Sequence, residues 1–142
     1  MKKFLSTLIF FCAIILTTTV NAENLVSLGV DDLGDEYFLD TESVALYKQE
    51  GKRIKFYTTF RTVYSDKGRE HFANEKLAST VSTYAFANNN GQKLAAELSI
   101  KVYALDGSLI EEVQKNSPRW EKINPNSVFE SVYDAAYRRL KL

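Results

Sequence analysis

Cysteine and histidine are so scarce in this sequence that their scarcity excludes whole classes of site. The only cysteine of the 142 residues, Cys12, lies in an apolar N-terminal run. A mature chain that begins after this run can form no disulfide, thiolate metal site or cysteine nucleophile. The only histidine, His71, lies in the polar segment DKGREHFANEK, which indicates an ordinary surface residue. No metal or cofactor is therefore expected.

An excess of charge of one sign is also lacking. The full sequence has 18 basic and 18 acidic residues. Loss of residues 1–22 would remove Lys2 and Lys3, leaving 16 basic against 18 acidic residues and a net charge of −2. This balance argues against nucleic acid or an anionic membrane as an electrostatic partner.

The first 22 residues have the pattern of a secretory signal peptide. Lys2 and Lys3 precede the apolar run LIFFCAIIL, and the sequence Val20-Asn21-Ala22 follows with small residues at positions −3 and −1. The run is shorter than the about 20 apolar residues that span a membrane, so we expect cleavage after Ala22 and no membrane insertion afterwards. The residue before Cys12 is a phenylalanine, whereas lipoprotein signals have a small residue there. These features predict export to the periplasm or cell surface.

The mature part, residues 23–142, is predicted to be a single domain because it lacks a Pro-rich linker, a repeat and a low-complexity run. Its N-terminal part holds a short strand, LVSLGV, and the acidic turn DDLGDE. The turn lacks the ligand spacing of a calcium loop, so we expect a solvated turn.

The clearest strand pattern is RIKFYTTFRTVYS, residues 53–65. Ile54, Phe56 and Phe60 alternate with polar residues and should face the core. Tyr57 and Arg61 should then face outward, either as ordinary surface residues or as part of a contact surface.

A hairpin is predicted around Asn90-Gly91, which suits the positive φ angles of a two-residue turn. This register aligns mostly apolar pairs on one face, which we expect to lie under a helix: Ala87 with Leu94, Ala85 with Ala96, Thr83 with Leu98, and Val81 with Ile100. Tyr84 and Glu97 fall on the other face.

A second turn at Asp106-Gly107 continues the antiparallel meander. Simple pairing sets Glu112 opposite Lys101, but it also sets Glu111 opposite Val102 on the inner face. Either a bulge or a short edge strand would accommodate this. Outward-facing Lys101 and Tyr103 join Tyr57 and Arg61 as the candidate binding residues.

The C-terminal part predicts an anchored helix. Ser127 and Glu130 form a capping box, Pro125 stiffens the approach, and an apolar stripe follows. Trp120 and Ile123 are expected to be buried, wedging the preceding loop against the sheet. The predicted fold class is therefore α+β, an antiparallel meander of about five to six strands with a C-terminal helix on one face.

Three stretches resemble the surface-adhesin protein E family of bacterial exported proteins: EYFLDTESV, VYALDGSLIEEV and WEKINPNSVFESVYDAAY. The family's hairpin motif is matched by Tyr103, Asp106 and Gly107, and its turn motif by Trp120, Ile123, Pro125 and Ser127. The resemblance implies an antiparallel sheet with a C-terminal helix and a surface protein that binds host macromolecules.

The chain departs from this family in two respects. Family members usually tie the helix to the sheet with a disulfide, and the corresponding positions, near Ala87 and at Tyr137, carry no cysteine here. We expect the Tyr137 ring to lie over the sheet near Ala87 in its place. The adhesive members also resemble lipid-anchored proteins, unlike this chain.

The sequence thus predicts an exported, non-enzymatic binding protein that contacts a protein of the host or the cell envelope. A periplasmic envelope protein with a structural or inhibitor-like role is the alternative. No catalytic constellation is recognisable, although Ser, Asp and Glu can act without a recognisable motif.

Signal-peptide cleavage provides the first testable prediction. The exported protein should have the mass of residues 23–142, as measured by intact-mass spectrometry. Ala22→Phe should accumulate the precursor because position −1 requires a small residue, whereas Asn21→Phe, at position −2, should be processed normally. Export of a protein that retains residues 1–22 would contradict the assignment.

Overall fold

A computed structural model describes residues 24–140, so the predicted cleavage site lies outside the described residues. These residues form a sheet, two α-helices and one 3₁₀ turn at Thr41–Ser43. The strands are β1 (Leu25–Val30), β2 (Glu36–Asp40), β3 (Ala45–Glu50), β4 (Arg53–Val63), β5 (Leu77–Asn89), β6 (Gln92–Ala104), β7 (Leu109–Gln114) and β8 (Glu121–Lys122), and the helices are α1 (Asp66–His71) and α2 (Val128–Tyr137). Within residues 24–140, no helix is long and apolar enough to cross a membrane.

All strand pairs are antiparallel, and the main path across the sheet is β1-β2-β4-β5-β6-β7. The α+β class and the antiparallel sheet are confirmed, but the expected five to six strands are wrong, because the sheet has eight. The difference arises because β4 has 11 residues and β6 has 13, long enough for each to pair with two short strands in succession. On the side of β4 away from β5, this strand pairs first with β3 and then with β2. On the side of β6 away from β5, that strand pairs first with β8 and then with β7.

Helix α2 packs against one face of the sheet through an aromatic cluster. Phe56 of β4 and Phe86 of β5 are paired across the strands, with ring centroids 5.5 Å apart. Tyr133 of α2 lies over both rings, 5.2 Å from Phe56 and 6.1 Å from Phe86. Phe56 is 0 % exposed, and Ile54 and Phe60 are also buried, which confirms the predicted alternation of β4.

Strand β5 presents the opposite face to α2 from the one predicted. The turn has the expected positive φ at Asn90 and Gly91, and the Ala87–Leu94 and Ala85–Ala96 pairs are confirmed. Cross-strand partners share a face, however, so Phe86 lies beside Phe56 on the helix side and Ala87 lies beside Lys55 on the other. Phe86 takes the helix side because an aromatic side chain buries far more apolar surface there than an alanine would.

The β5–β6 register also changes beyond the predicted pairs. A bulge between Thr83 and Tyr84 places Thr83 opposite Ser99 and Val81 opposite Lys101, so the predicted partners Leu98 and Ile100 were wrong. The face of the sheet that α2 covers is called the helix face below. The opposite face carries no helix within the described part of the chain and is called the open face.

The sequence left open either a bulge or a short edge strand at β7, and the structure has both. Glu112 pairs with Lys101 and Glu111 pairs with Val102, and the register shifts immediately after Val102. Glu111 is tolerated because β7 is a short edge strand whose charged side chains are exposed.

The start of α2 is capped as expected, with one difference in detail. The Ser127 hydroxyl accepts a hydrogen bond from the Glu130 backbone N–H at 3.3 Å. The Glu130 carboxylate accepts from the N–H of Asn126 at 3.2 Å, one residue before the capping serine. Pro125 is exposed just before this turn, and Ile123 packs against the core, partly buried.

Polar contacts tie the helix to the sheet. Lys93 of β6 reaches Asp134 at 2.9 Å and Glu130 at 3.7 Å, and its ammonium lies 5.0 Å from the centre of the Tyr133 ring. The Asn88 amide donates a hydrogen bond to the Tyr133 hydroxyl at 3.1 Å. These contacts hold the middle of α2 against β5 and β6.

The expected contact between Tyr137 and Ala87 is wrong. The Tyr137 ring stacks on Tyr133 at 5.8 Å and lies 6.4 Å from Phe56, and the residue remains 41 % exposed. Ala87 lies on the open face, so the sheet itself separates the two residues. Aromatic packing does help to hold the end of the helix, but on a different part of the sheet.

The acidic turn is not wholly solvated, contrary to expectation. Asp35 is 1 % exposed, and its carboxylate accepts hydrogen bonds from the Ser65 N–H at 2.8 Å and the Ser65 hydroxyl at 2.9 Å. Asp31 accepts from the Tyr37 hydroxyl at 2.8 Å. Burial and then this hydrogen bond raise the pKa of Tyr37 well above its ordinary value. The turn between β1 and β2 is therefore hydrogen-bonded to Ser65, the residue that caps the start of α1.

Gly68 in α1 leaves room for this buried carboxylate. A Cβ at position 68 would lie 2.1 Å from the Asp35 Oδ1 atom. Replacing glycine by alanine in a helix normally stabilises by up to about 1 kcal/mol. Gly68→Ala should instead destabilise by about 1–3 kcal/mol because the carboxylate must move.

Urea unfolding of Gly68→Ala beside Lys67→Ala, an exposed neighbour on the same helix, measures this difference. Lys67→Ala should unfold at nearly the parent's midpoint. A gain in stability for Gly68→Ala would contradict the close packing of Asp35 against α1.

Candidate binding surface

The residues described by the structure include no group of three or more His, Cys, Asp or Glu side chains that could hold a metal ion. His71 is exposed and lies edge-on to Phe72, with ring centroids 5.0 Å apart. Exposed aromatic and charged side chains remain as candidates for a binding site, and the open face carries Tyr47 and Trp120.

A pair of tyrosines forms one part of this surface. Tyr57 of β4 lies opposite Ala45 of β3, and the register of β3 shifts beside it between Leu46 and Lys48. The irregularity lies at Tyr47, whose ring centroid is 5.3 Å from that of Tyr57. Tyr47 is 63 % exposed. A bulge commonly changes the direction of a side chain, and the irregularity here coincides with Tyr47 lying beside Tyr57 on the same face.

Trp120 lies on the open face, and its expected burial is wrong. The side chain is 41 % exposed and shares a cavity with Ala87 and Leu94. The Lys55 ammonium lies 5.7 Å from the centre of the indole ring. Trp120 directly precedes β8, which pairs with β6 at Leu94, and the small side chain of Ala87 leaves room on the sheet. Ala87, on the face of the hairpin that was expected to lie under a helix, therefore lies beside Trp120 and not under α2.

The cavity beside Trp120 has a volume of about 450 Å³ and an uneven balance of charge. Lys48, Arg53 and Lys55 contribute three positive charges, against the single carboxylate of Glu50. Glu50 is paired with Lys48 at 3.1 Å. Neither Arg53 nor Lys55 forms an ion pair with any residue that the structure describes. The cavity therefore combines an apolar floor, an indole and two cations without acidic partners.

The four predicted binding residues share the open face but do not form one cluster. Arg61 and Lys101 both lie opposite Val81, so one strand separates them by about 10 Å. Tyr103 is in the neighbouring row, opposite Ser79. Tyr57 is four residues along β4 from Arg61, about 13 Å away.

Tyr57 accordingly belongs with Tyr47 at the Trp120 end of the face. Arg61, Lys101 and Tyr103 belong to the other end, where Lys101 lies 3.9 Å from Glu112. Tyr47, Arg53 and Lys55 were not predicted from the sequence as site residues. The indication for the two cations was present in the alternation of β4, which places them on the same face as Tyr57.

A second cavity, also of about 450 Å³, lies on the helix face beside the start of α2. Tyr84 and Phe129 form aromatic walls, with ring centroids 5.2 Å apart. Burial, Glu97 and Glu121 raise the pKa of Tyr84 to about 12, so the phenol stays neutral at physiological pH. Basic and acidic side chains both line this cavity, so its composition favours no one sign of charge: Glu97, Lys115, Arg119, Glu121 and Lys122.

Comparison of the chain with models of known protein families, with curated proteins and with solved structures gives no match. The resemblance to the surface-adhesin protein E family stays a prediction that rests on the short motifs quoted above.

The exposure of Trp120 changes the stability expected for its substitution. Trp120→Ala should cost only about 1–2 kcal/mol, the loss of a part-buried ring and one cation–π contact. Phe56→Ala, at the centre of the buried aromatic cluster, should cost about 3–5 kcal/mol.

Thermal unfolding of the two variants in parallel measures the contrast. A loss for Trp120→Ala as large as that for Phe56→Ala would show that the indole is part of the core, against the placement described above.

Proposed function

We propose that this chain is an exported, non-enzymatic binding protein whose open face contacts a protein of the host or of the cell envelope. The observation that carries the proposal is the exposure of Trp120 and Tyr47, with the half-buried Tyr57 beside Tyr47, on one face of the sheet without a covering helix. Exposed aromatic residues that lie on the same face are typical of contact surfaces.

Side-chain chemistry supports a protein as the partner. Trp, Tyr and Arg dominate the energetics of protein interfaces because each offers a large contact area together with hydrogen-bonding groups. Trp120, Tyr57 and Arg53 supply all three types at one end of the open face. Tyr57 and Arg53 lie in the paired strand β4 and Trp120 directly precedes β8, so little ordering of the main chain is required on binding.

The N-terminal sequence supports export. A signal peptide cleaved after Ala22 would deliver the domain to the periplasm or the cell surface. The polar tie between Lys93 and α2 suits a domain that has no cysteine in its mature part. The resemblance to a family of exported adhesins agrees with the same location.

Site-specific photocrosslinking tests the proposed surface. A benzophenone amino acid at position 57 should crosslink a protein of envelope or extracellular-matrix fractions, and the same group at Phe72, on a different part of the molecule, should not. The captured protein, once purified, should bind the parent chain. The double variant Tyr57→Ala with Trp120→Ala should lose at least about tenfold in affinity because both aromatic contacts are removed.

The double variant Phe72→Ala with Val30→Ala, two exposed apolar residues elsewhere, serves as the matched control. If both double variants bind the purified partner as well as the parent does, the open face is not the binding surface. Equal crosslinking from positions 57 and 72 would also count against it.

An epitope tag after Leu142 distinguishes a host partner from an envelope partner. The tag should be accessible on intact cells if the domain is displayed. If it becomes accessible only when the outer layer is broken, the partner belongs to the envelope, and contact with the host is excluded.

A further inference from the structure

We propose that the cavity beside Trp120 binds an acidic, extended segment of the protein partner, with one apolar side chain on the indole and carboxylates on Arg53 and Lys55. This inference rests on the proposed binding function and adds the chemistry of the ligand. It follows from the charge, the shape and the position of the cavity.

The charge of the cavity is opposite to that of the chain. The mature sequence has a net charge of −2, whereas the cavity carries three cations and one carboxylate. In the Lys48–Glu50 ion pair, the carboxylate neutralises one of the three cations. Arg53 and Lys55 remain to face the ligand. Complementary charges of this kind steer encounter and fix the register of a bound segment.

The floor of the cavity suits an apolar side chain between carboxylates. Ala87 and Leu94 are paired across β5 and β6, and the partly exposed indole stands beside them. A volume of about 450 Å³ lies at the small end of ligand cavities, enough for one side chain and its flanking backbone. Asn89 lines the same cavity, and its side-chain amide can bond the backbone of the segment.

The overall charge favours a short acidic segment over a long polyanion. A nucleic acid or a densely charged polysaccharide experiences the field of the whole domain, which is net negative. A short segment is exposed mainly to charges within about 8–10 Å at physiological salt, and the charges that line the cavity beside Trp120 are net positive. We therefore assign the site to a protein segment. The experiment below distinguishes this ligand from an anionic polysaccharide.

Glu50 gives the site an internal competitor for its cations. Its carboxylate holds Lys48, so Glu50→Gln releases a third cation to the ligand and removes a repulsive charge. This variant should bind an acidic segment more tightly than the parent. A purely structural role for Glu50 would not produce this gain.

Fluorescence anisotropy with defined peptides tests the inference on the exported protein. The probe is a fluorescein-labelled peptide, Gly-Ser-Glu-Glu-Leu-Glu-Glu-Ser-Gly, with two comparison peptides that carry glutamine for glutamate or alanine for leucine. The acidic probe should bind at least about tenfold more tightly than the glutamine peptide, and its affinity should fall as salt is raised. The alanine peptide should bind more weakly because the apolar contact is lost.

Variants of the protein locate the site. The double variant Arg53→Gln with Lys55→Gln should weaken the acidic probe at least about tenfold. The control, Lys67→Gln with Lys76→Gln, changes the net charge by the same amount at two exposed lysines remote from the cavity and should change affinity little. Equal losses in the two double variants, or equal binding of the glutamine peptide, would overturn the inference.

Two further outcomes separate this inference from the proposed function. Polygalacturonate binding that depends on Arg53 and Lys55, without binding of the acidic probe, would make the ligand a polysaccharide and overturn the protein assignment. A crosslinked protein partner whose affinity is insensitive to salt and to Arg53 and Lys55 would overturn the acidic segment and leave the binding function intact.

Discussion

The contact of Phe56 with Phe86 and Tyr133 determines the arrangement of the whole domain. Phe56 lies at the centre of β4, and its cross-strand partner Phe86 places the second large ring on the same face. Tyr133 then sets the position of α2 over both rings. Because the faces of a sheet alternate residue by residue, this cluster also assigns Ala85, Ala87 and Tyr57 to the opposite side. The open face is a consequence of the aromatic core.

The two faces are stabilised in different ways. On the helix face, aromatic burial is reinforced by Lys93, which bonds Asp134 and lies over the Tyr133 ring. On the open face, the small side chain of Ala87 leaves space beside Trp120, and Lys48, Arg53 and Lys55 line the cavity there. Residues 24–140 contain no cysteine, so the helix is held non-covalently, and the second face has no covering helix within the described residues.

Much of the local structure could be predicted from the sequence because it depends on neighbouring residues. The alternation of β4, the Asn90-Gly91 turn and the Ser127 cap all follow from short-range sterics and hydrogen bonds. The long strand and the terminal helix were therefore predictable, as was the α+β class.

Features that depend on distant residues were not predictable in the same way. Both faces of β5 are partly apolar, so its orientation was decided by pairing Phe86 with Phe56, 30 positions earlier. The bulge at Thr83–Tyr84 altered the pairing beyond it without any Gly or Pro to indicate it. The side of the sheet taken by Trp120 depended on the two-residue strand β8, too short to have a pattern of its own. The candidate site was therefore found only in part, at Tyr57.

Fluorescence quenching of Trp120, the only tryptophan of the sequence, tests the assignment of the two faces most directly. The indole on the open face, beside Lys55 and Arg53, should be quenched readily by acrylamide and much more strongly by iodide than by caesium ions, because the cations attract the anion. In the Arg53→Gln, Lys55→Gln variant the preference for iodide should shrink. An indole that neither ion quenches in the folded protein, and that becomes accessible only in denaturant, would place Trp120 in the core and contradict the open face.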